Sequence, residues 1–157
     1  MAGTPKAGDI PHLPGCRVLL VAAPYHAAIV AMLEAGARRV LDAAKVEVER
    51  AEVPGALEIP AAVALAHRLG RFDAHVALGC VVRGETFHFE IVAMESARGL
   101  VDLAVREGVI VGNGILTVDS LEQARVRADP AGEDRGGHAA LAALRLLALR
   151  RSWEAGR

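Results

Sequence analysis

Residues 75–90 read HVALGCVVRGETFHFE, and this stretch decides the fold. Its first eight residues are an apolar, valine-rich run of the length and kind that a strand buried on both faces requires. Gly84 breaks the run, Thr86 stands where it can cap a helix, and the pattern that follows predicts a long amphipathic helix from about Phe87 to Glu107, stopped at Gly108. A strand that leaves the core directly into a helix is half of a parallel crossover unit.

The same alternation extends outward in both directions. Upstream, RVLLVAA (17–23) reads as a buried strand, and HAAIVAMLEAGARRVLDAA carries Ile29, Leu33, Ala37 and Val40 at helical spacing. KVEVERA (45–51) alternates like a strand and runs into the turn residues Pro54 and Gly55, before a helix through Leu69 and Gly70. Downstream, VIVGNGIL (109–116) is the fourth strand. DSLEQARVRAD then offers Asp119 and Ser120 as helix caps, each with Glu or Gln three residues on, a capping-box pattern. ADPAGEDRGG (128–137) reads as a loop and HAALAALRLLALRR as a closing helix with a Leu and Ala face.

Strands alternating with helices imply an α/β fold: a four-stranded parallel sheet with right-handed crossovers and helices on both faces. Ligands of such a sheet bind beyond the carboxyl ends of its strands. That rule selects Pro24-Tyr25-His26, VPGALE (53–58), RGETFHFE (83–90) and NGILTVD (113–119) as four corners of one site.

A chain of 157 residues is one domain's worth. Residues 1–15 read as a flexible, Pro- and Gly-containing arm and 16–157 as a single domain. Eighteen Lys and Arg balance nineteen Asp and Glu, which gives no electrostatic footprint for nucleic acid or an anionic membrane. Cys16 and Cys80 lie far apart without a CxxC, and the first residues have no apolar signal region, so a reducing cytoplasm is expected. The hydrophobic fraction is 53% and the mean hydropathy +0.31, yet no run approaches the roughly 18 apolar residues of a membrane span. So much apolar surface on a small chain predicts large subunit interfaces.

Each corner admits two readings. His88, in the first turn of its helix, is either a surface histidine or a proton carrier beside whatever the helix end holds. Of Phe87 and Phe89, which point about 100° apart on a helix, one is expected in the core and the other as a wall for a planar ligand. Glu58 is either a carboxylate favoured by the helix dipole or a partner for ligand hydroxyls. Arg127 and Arg135 are solvated caps or phosphate partners. Histidines 12, 26, 67, 75 and 138 form no HExxH or tight cluster, so no metal is expected. Cys80 reads as a small core residue. GxGxxG and GxxxxGK[ST] are both absent, so no dinucleotide or ATP site is expected.

VPGALEIP, ALGCVVRGETFHFE and GNGILTVDSLEQARVRAD, in that order and followed by a Gly-rich loop and a Leu/Ala helix, resemble the lumazine synthases of riboflavin biosynthesis, from about Arg17 to Arg150. The resemblance implies a flavodoxin-like three-layer sandwich assembled as a homopentamer, with active sites between subunits and higher assembly left open. It implies condensation of 5-amino-6-ribitylamino-uracil with 3,4-dihydroxy-2-butanone 4-phosphate to 6,7-dimethyl-8-ribityllumazine, without metal or organic cofactor. A shell-forming or flavin-binding paralogue with secondary catalysis is the alternative.

Matched motif to motif, the resemblance places Tyr25 as the aromatic stacked on the pyrimidine. Ala56, Leu57 and Glu58 bind pyrimidine and ribityl groups, and Val81 and Val82 line the ring pocket. Glu85 and Thr86 hold the phosphate by backbone groups, joined by Arg127 of a neighbouring subunit, and His88 carries protons. This chain departs from the family at three positions. Tyr25 stands in place of the commoner Phe or Trp, Asn113 where many members have a Phe that covers the ring from the next subunit, and Arg135 where Lys is usual.

Overall fold

The computed structural model describes residues 4–156. Strand β1 (Arg17–Ala22) sits at the centre of the sheet, between β2 (Glu47–Glu52) and β3 (Ala74–Val82), and β4 (Val111–Val118) pairs on the far side of β3. All three pairings are parallel, with Leu20 opposite both Arg50 and Val76, and Gly79 opposite Ile115. The connections are α1 (Ala27–Ala43), α2 (Glu58–Arg68) and α3 (His88–Glu107), and the chain closes through α4 (Leu121–Ala128) and α5 (Arg135–Ala155). This is the α/β three-layer arrangement expected from the alternation of apolar runs.

The period of two along the central strands divides the core. Val18, Leu20, Val76 and Leu78 face α1 and α5, with Leu33, Val40 and Leu144 packed against them. Leu19, Val21 and Ala77 face the other way, onto Ile59 and Val63 of α2 and Leu100 of α3. Each full burial of such a side chain contributes about 1.5–3 kcal/mol, so both sheet faces are strongly specified. The edge strand β2 is largely exposed and charged, which disfavours pairing with foreign strands.

Several element ends differ from expectation, among them β2, which begins at Glu47 because Lys45 is left-handed at φ 63°. The fourth strand starts at Val111, two residues late, because Val109 and Ile110 are buried as a connector. Gly108, left-handed at φ 69°, ends α3, and the Ile110 carbonyl accepts from the His75 N–H. The loop expected over 128–137 is only 129–134, because Arg135, Gly136 and Gly137 already belong to α5. That pair of glycines reflects close helix packing: a Cβ on Gly136 would run into the Leu33 backbone of α1. Thr86 caps nothing, since α3 has no side-chain cap and the Phe89 N–H instead bonds the Thr86 carbonyl. At α4, Ser120 is the cap, accepting from the Gln123 N–H, while the Gln123 side chain accepts from Asp119.

Of the N-terminal arm expected over 1–15, residues 1–3 lie outside the described residues. From Thr4 onward it runs along the body. Thr4 Oγ1 donates to the Gly132 carbonyl, Arg39 to the Pro5 carbonyl, and Leu13 N–H to the Ala44 carbonyl. Among the described residues no helix is long and apolar enough to cross a membrane.

Candidate active site

One cleft of about 490 Å³ opens at the carboxyl edge of the sheet, a volume suited to a drug-sized ligand. Three strand ends build it. After β1, a 3-10 turn over Pro24–His26 holds Tyr25 out from the body, 81% exposed, with the His26 ring edge-on at 5.1 Å. Past β2, the turn Gly55–Ala56–Leu57 delivers Glu58 as the first residue of α2. Gly55 leaves room there, because a Cβ at that position would stand 3.0 Å from the Glu58 carboxylate. The last residues of β3, Val81 and Val82, form an apolar floor, and Gly84, Thr86 and His88 form the rim beside them.

The local sequence explains this third corner. Extended backbone ends at Val82, the chain turns over residues 83–87, and α3 starts at His88 with its amide dipoles directed at the cleft. Because the Thr86 hydroxyl is not used in capping, it is available to a ligand. Neither phenylalanine enters the core, contrary to the expectation for one of them. Phe87 is 71% exposed, and Phe89 lines the cleft beneath the Arg83 guanidinium, 4.3 Å from its ring centre. The buried positions of α3 are Ser96, Leu100 and Leu103, so its amino-terminal half overhangs the sheet edge.

The cleft thus brings together Tyr25, Ala56, Leu57 and Glu58 with Val81, Val82, Thr86 and His88. Glu85 belongs to the same turn but is not part of the lining. Asn113, Arg127 and Arg135 do not line it either. Asn113 lies in β4 beside Ala77, its side-chain oxygen accepting from the Ile115 N–H. Arg127 donates to the Gln123 carbonyl, and Arg135 pairs with Glu133 at 3.0 Å. The fourth corner, NGILTVD, therefore contributes no lining residue to this chain's own cleft.

His26 lines the cleft as well, although the sequence reading attached no chemistry to it. Its place directly after the end of β1 was the signal that could have found it. Cys80 also borders the site, and burial pushes its thiol up to about 11, so it stays protonated and behaves as a small apolar residue. The Glu90 carboxyl is held below its usual range by a hydrogen bond from Arg83. Taken together, the cleft offers an aromatic face, an apolar floor, a carboxylate, a hydroxyl and an imidazole at a helix start. Those groups can stack a planar ring, hold hydroxyls and an anion, and move protons between them.

Comparison with known proteins matches residues 15–151 to the family model described as 6,7-dimethyl-8-ribityllumazine synthase. Proteins of that name resemble this chain over nearly their whole length. The one from Novosphingobium aromaticivorans is 56% identical over 137 residues, 87% of this chain and 98% of the relative. That from Methylobacterium radiotolerans is 52% identical over 153 residues, 98% and 93% of the two chains, and that from Xanthobacter autotrophicus 55% over 148 residues, 91% and 90%.

Proposed function

The chain belongs to the 6,7-dimethyl-8-ribityllumazine synthase family, and on that premise we propose how its cleft carries out the condensation. It joins 5-amino-6-ribitylamino-uracil to 3,4-dihydroxy-2-butanone 4-phosphate, releasing phosphate and water. The observation that carries the reading is the meeting of Tyr25, the Ala56–Glu58 turn and His88 around one cleft.

In this reading Tyr25 stacks on the pyrimidine above the Val81–Val82 floor, and the 56–58 turn holds the ring edge and the ribityl hydroxyls. Backbone groups of Glu85 and Thr86 receive the phosphate at the start of α3, where helix dipoles favour an anion. The amine attacks the ketone to give a carbinolamine, which loses water to an imine. Phosphate leaves by β-elimination, and ring closure expels a second water. Each step moves a proton, and His88 on the rim carries it; only the elimination builds anionic charge on a leaving group, which the helix start stabilises.

Assembly follows from two features. Phe87, Ile91, Met94, Val101 and Val105 are exposed and share one face at the start of and along α3, interrupted only by Arg98 between Met94 and Val101. Asn113, Arg127 and Arg135 stand outside the chain's own cleft. A homopentameric ring covers the stripe and lets Arg127 and Asn113 complete the neighbour's site. Both cysteines are free and buried, in keeping with a cytoplasmic enzyme.

The direct test mixes the two substrates with the protein and follows the fluorescence of the lumazine together with released phosphate. One phosphate per lumazine is expected. Absence of product at saturating substrates would overturn the reading.

A further inference from the structure

Arg83, the first residue past β3, binds three parts of the structure at once. Its backbone N–H donates to the Val118 carbonyl at the end of β4. Its Nη1 donates to Glu90 Oε1 at 2.6 Å, its Nε to Asp119 Oδ1 at 2.7 Å, and its plane lies over Phe89. Glu90 sits in the first turn of α3, and Asp119 directly precedes the Ser120 cap of α4. A guanidinium suits this place because it is planar, donates in two directions and still offers a face for stacking.

Exposed ion pairs stabilise a fold little, and Arg83 is about half exposed, so stability does not account for such a clamp. The segment it encloses does. Gly84, Thr86 and His88 line the cleft and lie between Arg83 and its contacts at Phe89 and Glu90. We propose that Arg83 is a positioning residue that holds the 84–88 turn in its anion-binding shape and ties it to α4, the helix that carries Arg127. This rests on the reading of that turn as the phosphate site. A turn already held in place binds its anion without first having to be ordered.

The experiment compares Arg83→Ala, Arg83→Lys and Glu90→Gln in steady-state kinetics, varying each substrate in turn. Arg83→Ala is expected to raise KM for the phosphorylated substrate about tenfold, the loss of one well-ordered charged contact. KM for the pyrimidine should stay within about twofold of wild type, because that substrate does not touch the clamp. Arg83→Lys keeps the charge but not the fork or the stacking, and is expected to restore only part of the loss.

Glu90→Gln separates positioning from simple charge attraction. Removing a negative charge near an anion site should tighten phosphate binding if charge alone matters, and weaken it if the clamp orders the turn. An equal rise in both KM values for Arg83→Ala, or tighter binding of the phosphorylated substrate by Glu90→Gln, overturns the proposal. Calorimetry with inorganic phosphate alone reads the same variants without turnover. If wild-type protein makes no lumazine, the reaction falls, while weaker phosphate binding by both Arg83→Ala and Glu90→Gln still upholds the clamp and unchanged binding refutes it.

Discussion

Arg39 Nη2 donates to Asp134 Oδ2 across 2.6 Å, joining α1 to the start of α5. Asp134 is fully buried and left-handed at φ 47°, and its other oxygen caps α5 by accepting from the Gly137 N–H. One carboxylate therefore ends the 129–134 loop, starts a helix and locks that helix to its neighbour.

The two sides of this pair are not equivalent, which gives a first prediction. Arg39→Ala strands a buried carboxylate and should cost about 3 kcal/mol, as breaking a buried pair does. Asp134→Asn keeps the cap and tolerates the left-handed backbone, leaving a half-exposed arginine that water can solvate, so about 1 kcal/mol is expected. Urea unfolding at one fixed protein concentration measures both, and a larger loss for Asp134→Asn would contradict this assignment of the strain-bearing partner.

His88→Ala should slow turnover about 10²-fold, the lower end of general acid–base contributions, because positioning and phosphate stabilisation persist and water can substitute as a carrier. Pyrimidine affinity should change little, since its contacts lie on Tyr25 and the 56–58 turn. Full turnover in the variant, with chemistry shown to be rate-limiting, would remove His88 from the proton relay.

The acid side of the stability profile should depend on His75. This imidazole is 1% exposed; its Nδ1–H donates to the Ile110 carbonyl, and its Nε2 has no partner among the described residues. Burial lowers its pKa below the ordinary 6.5, with the neighbouring His67 adding to the shift. The unfolded chain therefore takes up a proton that the folded one refuses. Stability is whole above pH 6.5 and falls below it at up to about 1.4 kcal/mol per pH unit until the folded-state pKa is reached. His75→Leu should flatten that limb, while the Ile110 carbonyl keeps the backbone bond from residue 75. Unfolding free energies measured between pH 7 and 5 that remain parallel in the two proteins would rule the effect out.

The α3 stripe predicts the assembly. Wild-type protein should sediment as a fivefold ring at micromolar concentration, and Val101→Glu should release monomers or small species, since burying an unpaired carboxylate costs far more than it gains. Val101 is exposed in the single chain, so the variant's helical content should be unchanged. A monomeric wild type would defeat both the ring and the shared site.

Much of the fold was legible because buried parallel strands must be apolar on both faces and their crossover helices must show a 3.6-residue stripe. RVLLVAA and HVALGCVV could hardly serve as anything else. The errors cluster where local pattern carries no frame. Val109 and Ile110 are as apolar as a strand but are buried as a connector, Val109 beside Leu100 and Leu103 of α3 and Ile110 in the core on the opposite face, and Gly136–Gly137 have loop composition but lie where α1 and α5 touch.

Three of the four expected corners of the cleft were readable in the same way, since the carboxyl ends of strands in an alternating sheet point to one edge whatever the details of packing. Which residues of those corners face one another was decided only by the tertiary structure. Helix direction sends Phe87 outward and Phe89 into the cleft, and Asn113, third residue of β4, lies toward the amino end of its strand, away from the carboxyl ends that line the cleft. Arg83 finds Glu90 and Asp119 because β3 and β4 end side by side. Periodicity is a property of neighbours along the chain, and determined the elements. Contact between side chains 7 and 36 residues apart depends on how those elements pack, and no local pattern encodes it.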